Sequence, residues 1–137
     1  MHYLSVILLL KIMATVLFWS IPLLFFPDFL FTALDFPTQP HYMFVRLLGL
    51  AYAALCLGYG FALQASLEGR RLMGPIWVGV VSNGGAFILL VTYGLAGYWA
   101  EWPMMLRVIA WGSVIATSII TLGLIRYGVF GHQPKVE

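Results

Sequence analysis

Four nearly continuous apolar runs constrain this chain more than any other feature of its sequence. They cover about residues 3–26, 43–65, 75–97 and 104–127, and each is long enough to cross a hydrocarbon core of about 30 Å. Only 9% of the 137 residues are charged, whereas soluble proteins carry about 25%. The sequence therefore predicts an all-α membrane protein with a single domain over 1–137, folded as an antiparallel four-helix transmembrane bundle with short loops.

The first run can be interpreted as a permanent transmembrane helix or as a cleavable signal peptide. A signal peptide needs a positively charged start and a small-residue cleavage site. Here the only cation, Lys11, lies within the run, and Phe25-Phe26-Pro27 follows it. We therefore favour a permanent helix, in which Lys11 is expected to extend its ammonium to the nearer interface. Pro22 is expected to kink this helix or to end its regular hydrogen bonding.

A segment marked by three prolines, residues 27–42, joins the first two spans. Between Pro27 and Pro37 the chain is too short to cross a membrane, yet most of its residues are apolar. Such a segment is typical of a short helix that lies in the interface with its apolar side chains among the lipid headgroups. The sequence predicts an interfacial segment between the first and second spans.

The distribution of charges over the loops predicts the orientation of the bundle. Arg70 and Arg71 occupy the second loop, and Arg126 and Lys135 follow the last span. Lys and Arg are enriched in cytoplasmic loops, so both termini are predicted to be cytoplasmic, in an integral protein of the bacterial cytoplasmic membrane. The first and third loops, predicted to be outside, carry acids instead: Asp28, Asp35 and Glu101.

A cluster of polar and aromatic residues at the outer face is the predicted ligand-binding site. Arginines within membrane helices usually face a partner or a wet cavity. Three interpretations stay open: the arginines pair with Asp35, Asp28 or Glu101, they bind one phosphate or carboxylate together, or they reach the interface unpaired. The predicted site consists of Asp35, His41, Arg46, Glu101, Trp102 and Arg107.

Small and polar residues recur at helical spacing and are predicted to pack helix against helix. Two adjacent mid-span glycines, Gly84 and Gly85, are expected to permit a close helix crossing. The polar residues of the spans, such as Ser82 and Cys56, favour interhelical contacts over a substrate path. The predicted packing residues are Gly49, Ala53, Gly60, Gly79, Asn83, Gly84, Gly85, Ser113 and Thr117.

The residue inventory predicts no catalytic or metal site. The three histidines lie at or outside the ends of the spans, no Glu-x-x-His or Cys-x-x-Cys motif occurs, and Cys56 has no neighbouring histidine in the sequence. We predict no cofactor, and a lipid, quinone or pigment held only by packing stays open. A net charge of +2 is too small to indicate a nucleic-acid partner.

Three stretches carry a resemblance to known proteins. They are Leu24-Phe25-Phe26-Pro27-Asp28, the segment from Pro40 through Arg46-Leu47-Leu48-Gly49, and Leu57-Gly58-Tyr59. In these stretches, within the first half of the chain, the sequence resembles small bacterial four-span families of the DoxX-like and BphX-like kind. The resemblance implies four helices and assigns no functional residue.

Two functions follow from these patterns. The leading prediction is a non-enzymatic one: a small integral subunit or accessory protein that packs against a larger membrane complex or its own copies. It rests on the small-residue stripes, which occur on three helices. The alternative is a carrier or binder of a small anionic or lipidic molecule at the outer cluster, with membrane lipids as partners.

Overall fold

The structure is a computed structural model that describes residues 3–34 and 42–131, and within these residues it contains helices and no strand. Four of the helices are long and apolar enough to cross a membrane. This confirms the predicted four-helix transmembrane bundle, and the protein is an integral membrane protein. The helices are α1 (Tyr3–Phe25), α2 (Asp28–Ala33), α3 (Met43–Leu67), α4 (Met73–Leu95) and α5 (Met104–Val129).

The first span continues through its proline at the cost of a wider turn. A π-helical stretch, Val16–Ser20, precedes Pro22, and the N–H of Ile21 donates to the carbonyl of Val16 five residues back. Proline has no N–H and its ring displaces the carbonyl four residues before it, so the turn ahead of it widens. The helix then regains α-geometry up to Phe25.

Two glycines allow the short connections that make neighbouring helices antiparallel. Gly69 follows α3 with φ +74°, and Gly97 follows α4 with φ +82°. In both places the next N–H returns to a carbonyl five residues earlier, Arg70 to Ala65 at 2.8 Å and Tyr98 to Tyr93 at 3.1 Å. This left-handed glycine cap ends a helix sharply, because glycine has no Cβ to clash in that conformation.

The four spans form two helix pairs. Helices α1 and α3 pack together as the first pair, and α4 and α5 as the second pair. The pairs meet through α3 with α4 and through α1 with α5, while the backbones of the two diagonal combinations do not approach each other. We call the end that carries Tyr3 and the Arg70–Arg71 loop the basic end, and the end that carries Asp28 and Glu101 the acidic end.

All four spans contribute to one hydrophobic core, and that core lies near the basic end. A second cluster, formed by Trp99, Ala110 and Val114, lies nearer the acidic end and belongs to the second pair alone. The shared core therefore covers only part of the bundle length. Its buried residues are Leu4, Leu8, Ala62, Ile76 and Leu124.

The two helix pairs contact each other in the basic half of the bundle. Near the basic end, Tyr3 stacks on Tyr127 with ring centres 5.2 Å apart, and the Tyr59 and Ser82 hydroxyls lie 3.2 Å apart. Toward the acidic end, the second half of α1, Val16–Phe25, packs on α3, and its backbone approaches neither α4 nor α5. The bundle is thus closed in its basic half and open in its acidic half, and we call the gap between the pairs the cleft.

Candidate functional site

Arg46, which the sequence places in the outer cluster, is bound to its own chain. Its guanidinium donates to the carbonyls of Leu23 at 3.0 Å and Phe26 at 2.5 Å, and lies 3.2 Å from the Asp28 carboxylate. The Leu23 carbonyl has no helical donor because the residue four positions later is Pro27. Arg46 supplies the missing donor, so its position is explained by the end of α1 without any ligand.

The other members of the predicted cluster do not gather around Arg46. Arg107 lies exposed on α5, which is diagonal to α3 and whose backbone does not approach it. Within residues 3–34 and 42–131, neither Arg107 nor Glu101 forms an ion pair. Asp35 and His41 lie outside the described residues. The described part of the chain therefore brings no second arginine to Arg46 to bind one anion.

Trp102 borders a shallow, open apolar pocket at the acidic end of the second pair. The ring of Trp102 stacks on that of Trp99, with centres 6.0 Å apart. Aromatic side chains at this level are typical of a membrane–water interface, so the pocket needs no ligand to account for it. Its volume is about 390 Å³, and it is lined by Leu89, Leu90, Tyr93, Tyr98, Trp99 and Trp102.

Three of the predicted packing glycines face a neighbouring helix. A Cβ at Gly79 would lie 2.7 Å from Leu124, and one at Gly49 would lie 3.0 Å from Leu23 and from Leu24. A Cβ at Gly84 would lie 3.5 Å from Thr121, an ordinary contact distance. These positions hold helices together within each pair, and a Cβ at Gly79 would also lie 3.5 Å from the ring of Tyr59 in the other pair.

The predicted polar packing residues bond to their own helices. Ser113 donates to the Ile109 carbonyl at 2.8 Å, and Thr117 donates to the Ser113 carbonyl at 2.7 Å. Asn83 donates to the Gly79 carbonyl at 2.7 Å, and Ala53 is half-buried without a polar role. A hydroxyl that bonds the preceding turn satisfies itself locally, so these residues do not act as interhelical bridges in this structure.

Besides Ser82, which contacts Tyr59 across the pairs, serines that the sequence analysis did not single out make interhelical bonds. The buried hydroxyls of Ser5 and Ser66 lie 2.8 Å apart, and Ser20 donates to the Gly49 carbonyl at 3.2 Å. Each ties α1 to α3. Their only sequence signal is a small polar residue inside an apolar run, and that signal does not name a partner 61 or 29 residues away.

The faces that join the helix pairs near the basic end continue into the cleft with small residues. Gly85 lies one turn beyond Ser82, and Gly112 lies three turns before Gly123, which meets Ile7 of α1. A Cβ at Gly85 or Gly112 would meet nothing within 4 Å. Gly85 was predicted to sit at a close crossing and Gly60 to pack against a helix, and among residues 3–34 and 42–131 nothing packs on either.

Lys11 lies in the interior of the bundle and not at the interface, where the sequence had placed its ammonium. The residue is only 3% exposed, and its Nζ lies 4.3 Å from the centre of the Tyr59 ring. Two features account for this position. Gly79 has no side chain and leaves space for Lys11, and the face of the Tyr59 ring attracts its ammonium. Lys11 is eight residues from Tyr3, so it lies about 12 Å along the helix.

The ammonium of Lys11 touches open space. No hydrogen bond or ion pair reaches it from the described residues. In the described part of the chain, no fully enclosed side-chain nitrogen or oxygen lacks a hydrogen-bond partner. The small accessible remainder of Lys11 therefore includes its nitrogen. Lys11, Tyr59 and Gly79 lie close together beside the Tyr59–Ser82 contact between the pairs, and we place them at the closed end of the cleft.

Comparisons with known proteins assign no family to this chain. No family model matches the sequence, and neither a curated protein nor a solved structure matches the chain. The resemblance to four-span families of the DoxX-like and BphX-like kind stays a prediction.

Proposed function

We propose that this protein binds a small lipidic molecule in the cleft between its two helix pairs. The observation that carries the proposal is the change along the bundle, which is closed around a shared core in one half and open in the other. The bilayer core contains no water to fill such a gap. An apolar molecule from the membrane would therefore fill the cleft. We place the site there and not at the arginine cluster, because Arg46 caps α1.

The lining of the cleft supports an apolar occupant. Phe18 of α1, Leu48 of α3 and Leu89 of α4 continue the joining faces toward the acidic end, spaced eleven, eleven and seven residues from Ile7, Tyr59 and Ser82. All three are exposed. Between them the glycines remove side-chain volume, so the cleft combines apolar walls with space for a slender chain.

A partner helix is a second candidate occupant, favoured by the same glycines. Small residues let transmembrane helices approach closely, and Gly85 and Gly112 present such surfaces with nothing on them. This is the assembly function that the sequence predicts, a subunit that packs against a larger membrane complex or its own copies. Both candidates need the cleft, and their occupants differ in mass and chemistry.

Filling the cleft should separate the candidates. Gly85→Leu and Gly112→Leu each place a side chain in open space, so the fold should tolerate them. In native mass spectrometry from mild detergent, the unmodified protein should retain a lipid that both variants lose, with the thermal unfolding midpoint preserved. Gly74→Leu is the matched control, because Gly74 also faces open space but lies in the first turn of α4 at the basic end.

The alternatives give different masses. A large membrane protein retained in stoichiometric amount by the unmodified chain, and lost in both cleft variants, would favour the assembly function. Lipid retention that is the same in both cleft variants and in the control would contradict the proposal, because the bound lipid would then lie elsewhere.

We further propose that the basic end is cytoplasmic and that the protein resides in a bacterial cytoplasmic membrane. The support is the Lys and Arg bias of the loops. In a Cys56→Ser background, Ala100→Cys at the acidic end should react with an impermeant thiol reagent in intact cells, and Glu68→Cys at the basic end should not. The reverse labelling pattern would contradict this orientation.

A further inference from the structure

The chain provides no counter-charge for Lys11 inside the membrane. Its five acidic residues are Asp28, Asp35, Glu68, Glu101 and Glu137, and none lies within a transmembrane span. Glu68, at the basic end, is engaged by Arg70. Intramembrane cations are normally paired or face a functional cavity, because hydrocarbon solvates charge poorly. The ring of Tyr59 compensates the charge of the Lys11 ammonium only in part.

The position of the ammonium indicates what could reach it. Its nitrogen is accessible, yet 97% of the residue is covered, since Lys11 is 3% exposed. The approach is therefore narrow and admits a small head group. From Lys11 to Phe25, where α1 ends, fourteen residues rise about 21 Å. The cleft above the ammonium is thus as long as an extended long-chain acyl group.

We infer that the ligand of the cleft is a single-chain, lipid-soluble carboxylic acid, a long-chain fatty acid, whose carboxylate binds the Lys11 ammonium and whose chain lies along the cleft. This inference rests on the proposed function, because it names the chemistry of the molecule that the cleft holds. A carboxylate accepts charge-assisted hydrogen bonds from an ammonium. The apolar walls at Phe18, Leu48 and Leu89 then receive the chain.

Other sources of negative charge fit less well. A second copy of this chain brings no carboxylate into the membrane, because its spans contain none. A partner helix about 10 Å wide is too large to approach a side chain that is 97% covered. A two-chain phospholipid has a bulkier head group than the narrow approach to Lys11 admits.

The test compares two probes that differ only in the head group, oleate and oleyl alcohol, with the delipidated full-length protein in detergent. Binding is followed by the NMR signal of carbon 1, labelled with ¹³C in each probe. The unmodified protein should bind oleate about tenfold or more tightly than the alcohol, since a hydrogen bond to a charged group contributes at least about one factor of ten. Lys11→Met should bind both probes with the affinity of the alcohol.

Arg126→Met is the matched control, because it removes an exposed cation at the basic end, outside the cleft. It should keep the preference for oleate. The comparison of probes on the unmodified protein needs no variant, so it decides even if Lys11→Met fails to fold. Equal affinity for both probes would overturn the carboxylate inference and leave the cleft function standing. Binding of neither probe would contradict the cleft function itself.

Discussion

The basic and acidic halves of the bundle are built from the same four helices and have opposite packing. In the basic half, the space left by glycine is filled: Leu124 lies against Gly79, and Ile7 lies against Gly123. In the acidic half, Gly85 and Gly112 continue the faces that join the pairs, and nothing fills their space. A glycine in a transmembrane helix therefore permits close packing without specifying it. The side chain on the opposite helix decides whether a contact or a cavity forms.

The two helix-embedded cations of the first pair show the same contrast. Arg46 near the acidic end is held by two carbonyls and a carboxylate of its own chain. Lys11 in the basic half reaches the interior, where its ammonium lies over the aromatic ring of Tyr59. The arginine that the sequence marks as a ligand site thus has a structural role. The lysine that was expected to reach the interface is the residue with an unmet charge.

The largest expected change in the free energy of unfolding comes from placing leucine at a glycine of the basic half, compared with the same substitution in the acidic half. Gly79→Leu should lower the free energy of unfolding by about 2–3 kcal/mol, because its Cβ would lie 2.7 Å from the buried Leu124. Gly85→Leu should leave it unchanged or raise it by up to about 1 kcal/mol, the gain in helix propensity. Unfolding in lipid-free detergent measures both.

Equal destabilisation by Gly79→Leu and Gly85→Leu would mean that the acidic half is closed as well. The cleft would then be absent under those conditions. Gly74→Leu again serves as the control for the substitution itself, since it also faces open space.

A smaller effect is expected where Arg46 caps α1. Arg46→Met should lower the free energy of unfolding by about 1–2 kcal/mol, because the Leu23 and Phe26 carbonyls lose their donor near the membrane interface. Asp28→Asn should cost less than about 0.5 kcal/mol, since the Asp28 side chain is 70% exposed and the ion pair is screened by water. A double-mutant cycle in thermal or chemical unfolding checks both values.

Strong coupling between Arg46 and Asp28 in that cycle would contradict the capping role. It would show that the carboxylate, and not the carbonyls, is the main partner of the arginine. The sequence had proposed Asp35, Asp28 or Glu101 as that partner, and Asp35 lies outside the described residues.

Another small effect should come from the hydroxyl pair that ties α1 to α3 near the basic end. Ser66→Ala should lower the free energy of unfolding by about 0.6 kcal/mol, the average of interhelical hydrogen bonds in membranes. The loss leaves the buried Ser5 hydroxyl without its partner 2.8 Å away. Ser5→Ala with Ser66→Ala should cost less than the sum of the single changes. Additive effects would show that the two hydroxyls do not interact.

The transmembrane spans could be predicted from the sequence because hydrophobic length is a local property. The predicted first span, residues 3–26, compares with Tyr3–Phe25, and the predicted second span, residues 43–65, compares with Met43–Leu67. The third predicted span starts and ends two residues late. Its end is hard to locate from hydropathy because aromatic residues and glycine follow Leu95. A short helix also forms where the interfacial segment was predicted, at Asp28–Ala33.

The candidate site could be predicted only in part. The sequence shows that Lys11 lies in an apolar run and that all acids lie outside the spans, which already marks it as a cation without an intramembrane partner. Its direction depends on Gly79 and Tyr59, which are 68 and 48 residues away and offer space and a ring face. Whether Gly79 and Gly85 form a contact or line a cleft likewise depends on which side chains another helix brings opposite them. Hydrophobicity is read along one helix, whereas packing and charge pairing are decided between helices, and only the tertiary structure brings those together.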